Sequence, residues 1–297
     1  MKSSFFISIF VTMLFVLPVQ VDAQMERKPA VTKSPVSATW KAPRIAVFYS
    51  TKAIEKNTMD MSILHTFGPV GDGYEQLFGL DSPANIRLAL NYGLTERFSL
   101  GLGRSKIQKN VDLNAKYTLL EQMTDNSVPV TLMGTANAGI RTDPRAFIQS
   151  YGIGDRLNFS GSLLTARKMS PDLSLQLTTT VSHFNKVNIG ETVNTFFGAG
   201  LSGRYKVSNR TALSVEFMPV FSSEETNYIS SIGIDIETGS HVFQMFFTTS
   251  HYYTMSQAMR FATDFNDING NFSLLDSFRF GFNVNRIFWF NDRGTDW

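Results

Sequence analysis

The chain has 297 residues with no cysteine, 27 Lys and Arg against 25 Asp and Glu, and 26 Phe. Without cysteine there is no disulfide scaffold, zinc ribbon or lipid-modified N-terminal Cys. A formal charge of +2 gives no long-range field for nucleic acid, which removes that partner class, while so many phenylalanines need an apolar environment to cover.

Lys2 precedes an apolar run from Phe5 to Leu17, too short to cross a bilayer as a helix, and Val21-Asp22-Ala23 supplies the small-x-small pattern of a cleavage site before Gln24. Residues 1–23 are therefore expected to be a signal peptide, 24–44 an extended periplasmic N-terminal segment, 45–290 the folded body and 291–297 a C-terminal tail. No later window holds about 18 consecutive apolar residues, so the exported body has no helical anchor. That leaves a soluble exported protein or an outer-membrane barrel.

The body alternates. Apolar-polar periodicity marks twelve strands, near 59–67, 84–93, 97–106, 111–121, 128–138, 155–166, 172–183, 194–206, 210–221, 228–237, 240–250 and 275–289. Ile86, Leu88, Leu90 and Tyr92 share one face while Asn85, Arg87, Ala89 and Asn91 share the other. In the last strand Phe278, Phe280, Phe282, Val284 and Phe288 oppose Arg279, Gly281, Asn283 and Asn285. A soluble sandwich or jelly roll also alternates, so the connections decide. Tight turns at Leu94-Thr95-Glu96, Ser170-Pro171-Asp172, Ser208-Asn209-Arg210 and Thr238-Gly239 take turns with long loops, including 68–83, 139–154 and 251–274. With the N-terminus on the periplasmic side, the tight turns fall inside and the long loops outside, as in outer-membrane barrels. Strands of about ten residues suit a tilted crossing, and aromatic residues gather near both strand ends, with Tyr92, Phe98, Tyr117, Tyr205 and Phe288 at one level and Phe67, Phe197, Phe221, Tyr228 and Phe278 at the other. The fold class expected is all-β: a closed antiparallel transmembrane β-barrel of about 12 strands in an up-and-down meander.

Particular residues add a resemblance. His65-Thr66-Phe67-Gly68, Phe78-Gly79-Leu80-Asp81, Ala84-Asn85-Ile86-Arg87 and Tyr92-Gly93, then the stretch from Asp235 to Gln244 and the closing Phe280-Gly281-Phe282-Asn283-Val284-Asn285-Arg286, resemble a β-barrel family of Bacteroidota outer membranes, the domain of unknown function 5777. Thr66 stands where the family leads one to expect Arg, and Ser240 where a second Gly is usual. The resemblance implies a barrel and an outer-membrane location, and it transfers no site.

The inward faces carry Asp60, Arg87, Asp112, Lys116, Arg204, Glu216, Asp235 and Arg279, four acids and four bases, a balance that suits internal pairing better than a strongly ion-selective pore. The lumen is read either as a narrow polar conduit or as a plugged structural interior. With the turn at 222–227 pairing Phe221 near Ile229, Glu216 falls beside Ile234, next to inward Asp235, with Arg204 of the same parity on the adjoining strand. These three form the expected lumen charge cluster, in which the Arg fork serves two carboxylates.

Other constellations are weaker. His65, His183 and His251 all fall near the outer rim, but each shares the face of lipid-directed neighbours, so rim residues are a better account than a metal site, and His241 lies at the opposite end. Ser182 and Ser250 adjoin rim histidines only in sequence, where neighbouring strand residues point to opposite faces, and no G-x-S-x-G, H-E-x-x-H or Walker sequence occurs. Gly68-Pro69-Val70-Gly71-Asp72-Gly73 follows a strand without opening a dinucleotide-binding unit. In the stretch from Asp264 to Asn271, setting Gly270 at the sixth position of a calcium hand puts Phe265 first and Asp276 twelfth, so the register fails. No catalytic residue, metal or cofactor is expected. The partners expected are outer-membrane lipid, the barrel-assembly machinery during biogenesis and a small polar solute. Function is expected as passage or uptake of such solutes, with a sealed structural or surface-interaction barrel second and lipid hydrolysis third.

Overall fold

The computed structural model describes residues 33–143, 152–187, 192–265 and 271–290. The expected signal peptide, the first part of the N-terminal segment, the C-terminal tail, the centre of the 139–154 loop and most of the calcium-like stretch lie outside these described residues. Twelve strands form: β1 Thr58–Pro69, β2 Asn85–Gly93, β3 Phe98–Ser105, β4 Asn110–Leu120, β5 Thr131–Arg141, β6 Leu157–Lys168, β7 Leu173–Phe184, β8 Thr195–Lys206, β9 Thr211–Phe221, β10 Thr226–Thr238, β11 His241–Thr248 and β12 Arg279–Trp289. Each pairs antiparallel with its neighbour in sequence, and β12 closes onto β1 with Met59 opposite Phe288 and Thr66 opposite Gly281. No edge remains, so backbone groups facing hydrocarbon are all paired within the wall.

Two faces follow from the two-residue period. On β9, Ala212, Ser214, Glu216, Met218 and Val220 are buried inward, while Leu213, Val215 and Phe217 lie exposed on the outside. That outer face is a lipid surface. Its aromatic residues pair across strands, Phe98 with Tyr117 at 6.4 Å between ring centres and Phe67 with Phe280 at 5.7 Å. Inward glycines give room to large lumen side chains: a methyl group at Gly103 would run into the guanidinium of Arg87, and one at Gly281 would lie 2.6 Å from the Phe246 ring.

Parts of the chain itself occupy the lumen, and this corrects three expectations. The N-terminal segment is no periplasmic linker up to residue 44, because Trp40, Ala42, Arg44 and Ile45 are buried. Nor does the wall begin at residue 45, since β1 starts at Thr58 and residues 45–51 lie inside the barrel, bonded to inward side chains of β4, β7, β9, β11 and β12. The third concerns the 251–274 loop, which is not all surface. A short helix α1, Met255–Arg260, has its first five residues buried and packs against β6, β7, β8 and β10. A second turn of helix, α2 Leu274–Ser277, replaces the expected start of the last strand. Its N-cap Ser273 accepts the amide of Asp276 through its hydroxyl.

Two outcomes test this architecture. The folded protein should run on unheated SDS gels at a mobility different from the boiled chain and should stay with carbonate-washed outer membranes; loss of the chain to the wash would contradict a closed barrel. An epitope inserted at Thr238-Gly239, a turn at the end where the N-terminal segment enters, should be hidden on intact cells, and its surface display would reverse the orientation.

Candidate functional site in the lumen

The site begins with a run the alternation does not explain. Ile45-Ala46-Val47-Phe48-Tyr49 is five consecutive apolar residues between Pro43-Arg44 and Ser50, with no period of two. Such a run is buried on all sides. Inside the barrel it reverses direction tightly: the Ile45 amide donates to the Phe48 carbonyl at 3.0 Å and the Ser50 amide to the Pro43 carbonyl at 3.0 Å. A reversal in a water-poor interior leaves main-chain groups that the wall must satisfy.

Glu216, halfway along β9, satisfies three of them. One of its carboxylate oxygens accepts from the amides of Ala46 at 3.1 Å and Phe48 at 2.9 Å, and the other from Val47 at 3.0 Å. The remaining anchors treat the same main chain. Lys116 Nζ donates to the carbonyls of Pro43 at 2.9 Å and Ser50 at 3.2 Å. Gln244 Nε2 donates to the carbonyls of Arg44 and Ile45, and Asn283 Nδ2 to Ala46 at 3.0 Å. Gln176 donates to the Tyr49 carbonyl at 2.8 Å and accepts the Thr51 amide at 3.2 Å. Arg44 folds over its own turn, with Nη1 donating to the Val47 carbonyl at 2.6 Å and the guanidinium 4.1 Å from the Tyr49 ring centre.

Side chains of the turn complete a core that the outer loop shares. Val47, Phe48 and Tyr49 cluster with Met133, Leu164, Met218, Val220 and Ile229 from the wall and with Met255, Ala258 and Met259 of α1. Burying a side chain such as Phe48 stabilises by about 1.5–3 kcal/mol, so this small core holds both segments in place. Polar contacts fix α1 at the long-loop end of the barrel: Ser256 Oγ donates to Asn158 at 2.7 Å, Gln257 Nε2 to Gln108 at 2.9 Å, and Asn85 Nδ2 to the His251 carbonyl at 2.7 Å.

The remaining expected site residues all face inward, and they divide into separate groups. Arg87 and Asp112 form a buried two-point pair, 2.7 Å through Nη2 and 3.3 Å through Nε, with Asn137 donating to the same carboxylate at 2.8 Å. Asp60 accepts from Ser62 at 2.6 Å and Asn91 at 3.3 Å. Arg204 Nε lies 3.5 Å from Asp235, which also accepts from Gln244. Arg279 caps the long-loop end, donating to the carbonyls of Thr249 and Ser277 at 3.1 Å each.

Glu216 is therefore not the third member of the Arg204 cluster. Phe221 pairs with Thr226, and this places Glu216 opposite Ser231 and Asp235 opposite Ala212. The expected register assumed a longer turn and misplaced Glu216 by three residues. His251 is a second correction. β11 stops at Thr248, so strand parity no longer applies, and the His251 carbonyl meets inward Asn85 and Thr66. Burial, with the charge of nearby Arg279, pushes its imidazole down to about 4. His65 stacks on Phe282 at 5.0 Å on the outer face, His183 Nδ1 meets Thr195 Oγ1 at 2.9 Å, and His241 stacks on Phe243. Ser250 Oγ donates to the Tyr252 carbonyl, and inward Ser182 points away from His183. Among the described residues no three metal-binding side chains come together.

The buried Arg87–Asp112 pair and the partly exposed Lys41–Glu237 pair, 3.0 Å at the tight-turn end, make a direct comparison. Asp112→Ala should cost about 3–5 kcal/mol by stranding a buried guanidinium, seen as a lower temperature for loss of the SDS-resistant form. Glu237→Ala should cost no more than about 1 kcal/mol. Equal shifts would contradict the assigned burial.

The family model described as "Membrane bound beta barrel domain (DUF5777)" matches residues 40–288. That span begins at buried Trp40, just before the lumen turn. No curated protein matches the chain. Among solved structures, the chain is similar to a NanC porin at 5% identity, covering 78% of this chain and 98% of that one with a TM-score of 0.48. A KdgM porin compares at 8% identity, 77% and 98% coverage and a TM-score of 0.48. The translocator domain of the autotransporter NalP from Neisseria meningitidis compares at 11%, 80% and 90%, with 0.39.

Proposed function

The chain belongs to the family of membrane-bound β-barrel domains, and from that premise we propose that it is an outer-membrane barrel with a sealed lumen, acting in structure or surface interaction rather than in steady solute flow or catalysis. The observation that carries this reading is the meeting of the N-terminal turn with α1 in one apolar core across the lumen. A solute would have to displace both. The bilayer itself, through the aromatic outer face, is the first partner; the assembly machinery of the outer membrane and the tie to Bacteroidota belong to the same reading, the latter on the strength of the sequence resemblance.

A conduit for small polar solutes is the second reading, favoured by the polar character of the wall that grips the turn, with Glu216, Gln176, Gln244, Asn283 and Lys116 available to line a passage once the turn has left. Planar-bilayer recording on the full chain separates the two. The sealed barrel gives no current steps at either polarity. Stable open steps from the unaltered protein would contradict it and support the conduit.

A further inference from the structure

We infer that the periplasmic half of the lumen is a binding site for a polypeptide turn, and that residues 43–51 are a resident ligand that a second chain of the same chemistry can replace. The inference rests on the sealed reading for one point, that α1 closes the outer mouth. Emptied of the turn, the space is a cup open to the tight-turn end and closed above by α1.

The wall recognises what any polypeptide carries. Glu216 takes three successive amides, while Lys116, Gln244, Gln176 and Asn283 serve the carbonyls of residues 43–46, 49 and 50. None of these contacts involves a side chain of the turn. A carboxylate holding three amides is a strong, charge-assisted arrangement, and its geometry selects a tight reversal over an extended strand. Side chains add class rather than identity. The apolar cluster around Val47 and Phe48 is built partly from methionines, Met133, Met218, Met255 and Met259, whose flexible thioethers repack around different shapes.

The resident segment leaves some of its polar side-chain atoms unmet: in the turn Arg44 Nη2 and Tyr49 Oη, and just before it Trp40 Nε1, are buried without a hydrogen-bond partner, although Arg44 Nη1 and Ser50 Oγ are bonded. Its approach is held mainly through main-chain groups as well: the Val36 amide donates to the Gln122 carbonyl at 2.7 Å, the Thr124 amide to the Ser34 carbonyl at 2.9 Å and Lys168 Nζ to the Ser37 carbonyl at 3.1 Å, while the side-chain pair of Lys41 with Glu237 is partly exposed. The strong contacts are thus with the main chain and the incomplete ones with the side chains. The ligand is a polypeptide with a tight apolar turn next to a cationic residue, arriving from the periplasmic side.

The test uses the full chain, folded in a nanodisc, with a protease site inserted between exposed Glu55 and Lys56. After cutting, the segment is held by non-covalent contacts alone, and a fluorescent peptide of residues 38–55 is offered. Saturable one-to-one uptake is expected. A peptide carrying Leu at 45 and Ile at 47 should bind within about threefold, methylation of the amides of Ala46, Val47 and Phe48 should weaken binding by about a hundredfold or more, and Glu216→Gln should weaken it about tenfold. Failure of the cut segment to exchange would overturn the inference, as would equal binding of the methylated peptide or binding confined to the native side chains. Bilayer current on the same preparation reads the sealed lumen separately. A barrel that conducts yet exchanges peptide refutes the seal and keeps the site, and a silent barrel that does not exchange does the reverse.

Discussion

A carboxylate inside a membrane-spanning wall has to be answered by donors, and the answer given to Glu216 organises this protein. Three main-chain amides from a segment far away in sequence, Ala46, Val47 and Phe48, converge on it. Without them β9 would carry a bare charge at mid-depth; without Glu216 the turn would carry three buried donors with nothing to bind. Each unmet group costs about 1–3 kcal/mol. The two therefore specify one another.

Closure of the sheet and filling of the lumen are separate solutions to one constraint. The sheet satisfies its main chain by pairing β12 with β1, which disposes of the hydrocarbon-facing side. The inward side of a twelve-stranded wall is too wide for its own side chains to meet everywhere. Where they do meet, as in Arg87–Asp112 and Arg204–Asp235, charges pair wall to wall. Elsewhere the chain supplies main-chain groups from its N-terminal segment and apolar side chains from α1. The balance of inward acids and bases belongs to this arrangement.

The barrel was legible because its evidence is repetitive: the alternation that puts Leu213, Val215 and Phe217 outside and Ser214 and Glu216 inside recurs along strand after strand. The inward direction of every charged candidate came from the same parity. Pairing partners were harder to read, because register depends on turn length, and the turn after Phe221 is shorter than its sequence implies. His251 was misread once β11 ended early, since parity has no meaning past the last ladder bond. The turn at 43–51 left a trace, five apolar residues without alternation, but nothing in that run names Glu216 as its partner across about 170 positions of sequence.

The account stands most directly on the burial of that turn. Amide hydrogen exchange of the folded barrel in lipid, followed by mass spectrometry over peptides covering residues 43–51, measures it. The contacts with Glu216 require Ala46, Val47 and Phe48 to exchange as slowly as the paired amides of β9. Exchange of these three at the rate of a free chain, with β9 still protected, would show that the turn is not held in the lumen and would contradict the account.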